Sequence, residues 1–226
     1  MTQGSATRTN ALAPAAHSGA GEAVARILAA AEALFAERGF DGTSMNAVAA
    51  AAAVSKANIF HHFNSKNALY LEVLRQACHD SAERLDHLES DDRPFPERLA
   101  QFAHEHLESL LQHERVSRLI LRELLENGPR RGQELAERVF GEKFARFVEI
   151  LRAAQTHGAL RADVDPAMAA TLLIGSNVFF FEAQQVLRHF RDVDFAHDPA
   201  RYSRMLTDIL LRGIAAPDDK PKKPGT

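Results

Sequence analysis

The stretch "AAAAAVSKANIFHHF", residues 49–63, decides how the chain is built. Alanine is the best helix former, so propensity alone would carry a single helix through it. Ser55 opposes that reading, because serine is among the preferred N-caps, and Ala52, Ala53 and Val54 suffice for a tight turn between two helices. A break there leaves one short helix over about 44–51 and another over about 55–61. Two such helices joined by a three-residue turn form a helix-turn-helix, whose second member lies in the DNA major groove.

The charge pattern agrees with that motif. The net charge of −3 argues by itself against a chain coated in nucleic acid, but residues 42–71 contain no Asp or Glu and carry Lys56, Lys66, His61 and His62. A polyanion can approach that segment without meeting a carboxylate. With 226 residues, 46% of them hydrophobic, the chain can bury a core. Its one cysteine, Cys78, excludes an intramolecular disulfide and a multi-cysteine zinc cage; it fits a reducing compartment and is expected to be a small buried apolar residue. No run approaches about 18 uncharged apolar residues, and the N-terminus lacks the basic start and apolar centre of a secretory signal. The expectation is a cytoplasmic protein without a membrane span.

Outward from the opening stretch, apolar residues recur at the helical period and no run alternates as a half-buried strand does. An all-α chain is expected, with tails over 1–20 and 215–226, a DNA-binding domain over 21–70 and a larger domain over 71–214. Nine helices follow from the pattern. Val24, Ile27, Leu28, Ala31, Leu34 and Phe35 make the first stripe, closed by Gly39 as a left-handed cap. Thr43 can cap the second. Ser65 or Asn64 can cap a long fourth helix reaching about Glu89, before the proline-containing break SDDRPFPE. The fifth runs through Leu99, Phe102, His106 and Leu110; the sixth, through Val116, Ile120 and Leu124, stops at Asn127-Gly128-Pro129; the seventh stops at Gly158. Asp165-Pro166 and Asp198-Pro199 each pair an N-cap with proline at the first helical position, opening the eighth and ninth.

The run T43-S44-M45-x-x-V48-A49-x-x-A52-A53-V54-S55-K56-A57-x-I59-F60-x-H62-F63-x-S65-K66-x-x-L69 resembles the DNA-binding domain of the tetracycline-repressor (TetR-like) family of bacterial transcriptional regulators. The likeness covers residues 24 to about 75. It implies that Thr43 and Ser44 bond a phosphate at the N-terminus of helix two, where the helix dipole also favours an anion. It further implies that Ser55, Lys56, Ala57, Asn58 and Phe60 face the groove, with Asn58 and Lys56 best equipped to read base edges, and that His61, His62 and Lys66 grip the backbone. Two departures stand out. The family commonly has glycine where this chain has Ala53 and Ala57, so a slightly different turn is expected at Ala53. It often has tyrosine where this chain has Phe60, which removes a hydroxyl donor to phosphate.

Helix eight, whose residues 168–181 read MAATLLIGSNVFFF, is apolar around nearly its whole circumference, more than one buried face requires. The resemblance implies that 165–189 and 199–213 pack against their symmetry mates, giving a homodimer suited to a palindromic operator on double-stranded DNA. It also implies a small-molecule pocket in the larger domain. The candidates there are His106 and Asn177, polar groups stranded on apolar stripes, with Phe102, Phe144, Phe147 and Phe180 as walls, a lining suited to an apolar or aromatic effector. The expected protein is a repressor released by that effector; the alternatives are a constitutive DNA-binding or structural helical protein without effector, and a helical metalloenzyme. There is no GxSxG, no phosphate-binding glycine loop and no Cys/His nucleophile signature, so neither an enzyme nor a cofactor is expected. His79, Glu83 and His87 share a helical face at a spacing that suits a divalent metal; a solvated row is preferred because no fourth ligand can be identified, and no metal is expected.

Overall fold

The computed structural model describes residues 16–78 and 80–214. The described residues are mostly helical, without a β-strand, and divide into two compact units, one ending at Tyr70 and the other beginning at Leu71. Of the segments expected as tails, 1–15 and 215–226 lie outside the described residues, while residues 16–20 open the first helix.

In the first unit, α1 (Ala16–Gly42) packs on α2 (Met45–Ala51) and α3 (Lys56–His62), and α4 (Lys66–Ala77) begins there. Gly39 takes φ 73° and ψ 178°, so the regular part of α1 ends where the glycine was expected to end it. Ile27, Ala31, Phe35, Val48, Ile59 and Leu69 are fully buried. Phe35 meets Tyr70 edge to face at 4.8 Å between ring centroids, and Phe40 completes an aromatic triplet 5.0 Å from Tyr70.

The second unit comprises the rest of α4 with α5 (Asp80–Ser90), α6 (Phe95–Gln112), α7 (Glu114–Arg122), α8 (Gly128–Leu135), α9 (Gly141–Thr156), α10 (Pro166–Leu187) and α11 (Pro199–Ile214). Its core gathers Leu85 and Leu88 of α5, Leu99 and Phe102 of α6, Phe147 and Leu151 of α9, and Ala170 and Leu173 of α10. The nine expected helices are present, with two differences. The long fourth helix is divided: α4 ends at Ala77 and α5 begins at Asp80. The chain also does not stop at Asn127-Gly128-Pro129, but passes through a π-helical turn at Glu123–Asn127 into α8, and through a second at Ala136–Phe140 into α9. The first turn is held by Glu123, buried, which accepts from Arg131 at 2.8 Å and from Asn127 at 3.0 Å. The second needs Gly141, since a Cβ there would lie 2.3 Å from the Ala136 carbonyl oxygen. Neither turn has a local sequence signal, because the contacts that make them come from partners four to eight residues away.

The caps of the last two helices form as expected. Asp165 accepts from the backbone N–H of Ala167 and Met168, and Asp198 from that of Arg201. By length and composition alone α10 could cross a membrane, yet it packs against α6, α9 and α11. Its outward stripe remains apolar and exposed: Met168, Leu172, Phe179 and Val186, with Met205 and Ile209 of α11 beside them.

Candidate nucleic-acid interface and effector cavity

The turn inside the opening stretch is made by backbone hydrogen bonds. Val54 N–H donates to Ala49 O at 3.0 Å and Ala53 N–H to Ala50 O at 3.3 Å, the nested pair that closes a Schellman motif around Ala52. Such a motif needs a left-handed residue after the cap, and Ala53 supplies it at φ 54°. The expectation of a reshaped turn is therefore corrected: the geometry that suits glycine is kept, and an alanine occupies it. Arg26 of α1 donates from Nε to the Ala52 carbonyl at 3.4 Å, supporting the negative end of α2. No sequence pattern marked Arg26, because its partner is a backbone atom 26 residues away. A left-handed alanine costs about 1–2 kcal/mol and glycine's extra unfolded freedom about 0.5–1 kcal/mol. Ala53→Gly should consequently raise unfolding free energy by about 0.5–1 kcal/mol, measured by urea titration, and leave the fold unchanged.

The helix ends around this turn are capped by serines. Ser44 Oγ accepts from Ala47 N–H, Ser55 Oγ from Asn58 N–H, both at 3.1 Å, and Ser65 Oγ from Ala68 N–H at 3.0 Å. Ser44, rather than Thr43, thus caps α2. Thr43 is buried, and its hydroxyl donates inward to the carbonyls of Gly39 at 2.9 Å and Leu34 at 3.1 Å, so its side chain has no proton to offer a phosphate. Ser44, Ser55, Lys56, Ala57, Phe60 and His61 are exposed. Lys56 Nζ lies 6.0 Å from the Phe60 ring centre, one helical turn on. Asn58 is half-buried, with Oδ1 enclosed and lacking a hydrogen-bond partner. His62 is half-buried between His61 and Phe63. Lys66 is half-buried too, its ammonium 4.3 Å from the Phe40 ring centre in a cation–π contact. The outward surface of α3 thus carries one cation and one large aromatic side chain, and no acid stands within the segment.

The second unit encloses a cavity of about 290 Å³ among α4–α7, α9 and α10. Phe102, Phe144 and Phe147 line it as expected, joined by Phe140, Leu85, Leu121 and Ile174. His106 lines it as well. Asn177 and Phe180 do not, which corrects two expectations. Phe180 is fully buried and stacks on Tyr202 at 3.9 Å, tying α10 to α11. Tyr202 in turn donates to the Ser176 carbonyl at 2.6 Å, and burial pushes its phenol up to about 12.

Asn177 acts behind the wall. Its Nδ2 donates to the Ala103 carbonyl at 2.8 Å and to His106 Nδ1 at 3.2 Å. The carbonyl fixes which end of the amide points that way, so Nδ1 of His106 must accept and its proton sits on Nε2. Burial, with a smaller contribution from the Arg84 guanidinium, holds the imidazole down from 6.5 to about 4. His106 is therefore neutral at pH 7. Because its folded pKa lies below its unfolded one, the unfolded chain binds the extra proton first. Stability is full above about pH 6.5 and falls as pH drops towards 4. In urea unfolding at pH 7 and pH 5, His106→Gln should lose less stability on acidification than the parent protein does.

Two further groups at the cavity are shifted by burial. The Cys78 thiol is pushed up, Lys143 and Arg84 opposing in part, so it stays protonated and is a poor nucleophile at neutral pH. The Lys143 ammonium is pushed down by burial, and Nζ donates to the Arg75 carbonyl near the end of α4 at 3.3 Å. Of the possible metal row, His79 lies outside the described residues; Glu83 and His87 border an open groove. Among the described residues no three His, Cys, Asp or Glu side chains are grouped to hold a metal ion.

Comparison with known proteins bears on both sites. The profile described as "Bacterial regulatory proteins, tetR family" matches residues 27–73, which hold most of α1, all of α2 and α3, and much of α4. The HTH-type transcriptional regulator RutR of Escherichia coli K12 is 35% identical over 103 residues, 46% of this chain and 48% of that protein. The chain thus spans about half the length of that relative. The HTH-type transcriptional regulator UidR of the same strain is 31% identical over 156 residues, covering 66% of this chain and 74% of UidR. The fold is shared with SmeT, the repressor of the Stenotrophomonas maltophilia multidrug efflux pump SmeDEF. The two superpose with a TM-score of 0.64 at 24% identity over 90% of this chain and 94% of SmeT. By the matched helix-turn-helix and the extent of its likeness to UidR, the chain belongs to the tetR family of bacterial regulatory proteins.

Proposed function

We propose that this chain is a cytoplasmic, homodimeric regulator of transcription that binds a palindromic operator on double-stranded DNA and is released from it by a small, mainly apolar effector. The observation that carries the reading is the Schellman-closed turn, which presents α3 on a segment free of Asp and Glu, with Lys56 and Phe60 outward. Ser44, Ser55, Ala57, His61, His62 and Lys66 flank that surface as phosphate and sugar contacts, and Asn58 joins Lys56 at base edges once its amide turns outward. The names of RutR and UidR, both transcriptional regulators, and of SmeT, a repressor, support the same function.

The dimer surface is the exposed stripe of α10 and α11. Met168, Leu172, Phe179 and Val186 recur on one face of α10, and an apolar patch of that kind marks an interface rather than a solvent face. Phe179 is 65% exposed, so replacing it leaves the interior intact. Phe179→Glu should give a folded monomer by sedimentation, with a circular dichroism spectrum like the parent's and operator affinity reduced at least tenfold, since one half-site is lost.

Release is a population shift. The effector must bind the DNA-incompetent form more tightly than the competent one, and the cavity beside Phe102, His106, Phe144 and Phe147 is where it binds. Titrating the protein into a labelled fragment of its own upstream region at several salt concentrations tests the DNA claim. The logarithm of affinity should fall linearly with the logarithm of salt, and a salt-independent signal would remove the electrostatic basis of the reading.

A further inference from the structure

Resting on the reading of the cavity as the effector site, we infer that it is built for a small aromatic carboxylate, with the ring among four phenylalanines and the anionic head on Lys143. Phe102, Phe140, Phe144 and Phe147 supply the aromatic walls. The volume of about 290 Å³ is at the low end for ligand sites, roughly 300–1,000 Å³, which suits one or two rings. The described lining contains two cations, Arg84 and Lys143, and neither Asp nor Glu. Arg84 also borders the adjoining groove with Glu83, Glu105 and Glu108, so its charge is shared between the two, whereas Lys143 lines the cavity and not the groove.

Lys143 takes part in none of the described ion pairs, and its one described hydrogen bond, to the Arg75 carbonyl, uses one of three ammonium donors; Cys78 and the Glu142 carboxylate act on it electrostatically, yet burial still pushes the ammonium down. A partly buried cation without a direct carboxylate partner beside an apolar cavity is costly, and an incoming carboxylate offsets that cost with a charge-assisted bond. His106, with its proton held on Nε2 by Asn177, adds a neutral donor that carries no competing charge. Because Lys143 also holds the Arg75 carbonyl of α4, an anion that draws the ammonium away loosens the end of that helix, which gives binding a route to regulation.

Calorimetric titration of the full chain with 2-naphthoate and with 2-naphthamide, a neutral ligand of nearly the same shape, tests the assignment. In a cavity without a cation the amide binds better, because the carboxylate loses more hydration. The expected result is naphthoate tighter by at least about tenfold, the size of a charge-assisted hydrogen bond. That preference should vanish in Lys143→Met and survive in Lys143→Arg. Amide binding equal to or tighter than acid binding in the parent protein overturns the carboxylate assignment and leaves the effector site standing. A preference that survives Lys143→Met overturns the role of Lys143. Failure of both ligands to bind overturns the assignment and counts against the effector site itself. The comparison of the two ligands on the parent protein decides even if a variant fails to fold.

Discussion

Phe35→Ala is expected to cost about 3–5 kcal/mol and to unfold the DNA-binding unit at temperatures where the parent is intact. Phe35 is fully buried and touches both Phe40 and Tyr70 within the aromatic triplet. Truncation removes its share of that contact and leaves a cavity at the junction of α1 and α4, which a unit this small cannot close by repacking. Domains are stable by only about 5–15 kcal/mol, so the loss is a large fraction of the total. Thermal melting followed by far-ultraviolet circular dichroism should show a new low-temperature transition, and operator binding should disappear with it. A single unshifted transition would mean that the triplet does not hold the unit together.

The second large effect is on recognition. Lys56→Glu places a carboxylate on the outward face of α3, within the segment that carries no acid. A cation reading a base edge contributes about 1–3 kcal/mol of discrimination, and opposing a phosphate-lined groove with a like charge costs several kcal/mol more. Operator affinity should fall by a factor of about 100 or more in fluorescence anisotropy. Stability should change by less than about 0.5 kcal/mol, since Lys56 is exposed and its contact with Phe60 is long. Unchanged affinity would move the reading surface away from α3.

The parts of this molecule that were legible in its sequence are those fixed by neighbours along the chain. The serine at 55, the alanine run before it and the Asp-Pro starts of α10 and α11 each act within one helical turn, so these breaks and caps fall where the residues indicate. Parts set by distant partners were not legible. Thr43 and Ser44 are equally good caps by type, and only the carbonyls of Leu34 and Gly39 decide that Thr43 turns inward. The end of α4 at Ala77 interrupts a stripe with no proline or glycine to mark it. The π turns depend on Glu123 meeting Arg131 and on Ala136 approaching Gly141.

The cavity followed the same rule. Phenylalanines on α6 and α9 were identifiable as walls from their stripes, but periodicity cannot separate a side chain facing a cavity from one facing another helix. Phe180 and Phe144 look alike in sequence; one is sealed against Tyr202 and the other opens on the void. Asn177 stands out in the sequence as a polar candidate for the pocket, but a buried amide is satisfied wherever a partner lies within reach. Its partner is His106 rather than a ligand. Lys143 gave no signal at all, since a lysine on an amphipathic helix is ordinarily solvated.

Ala53 joins the two kinds of information. The turn it occupies is written in local backbone bonds, whereas the left-handed conformation those bonds impose is one that alanine itself does not favour.

The most direct test of the central claim compares a labelled fragment of the gene's upstream region with a shuffled fragment of the same composition, at about 0.15 M salt where exposed charges are screened beyond about 8 Å. The account predicts a dimer bound to the upstream fragment about 10³-fold more tightly than to the shuffled one, with the preference lost in Lys56→Glu. Equal affinity for the two fragments, or none for either, would contradict it.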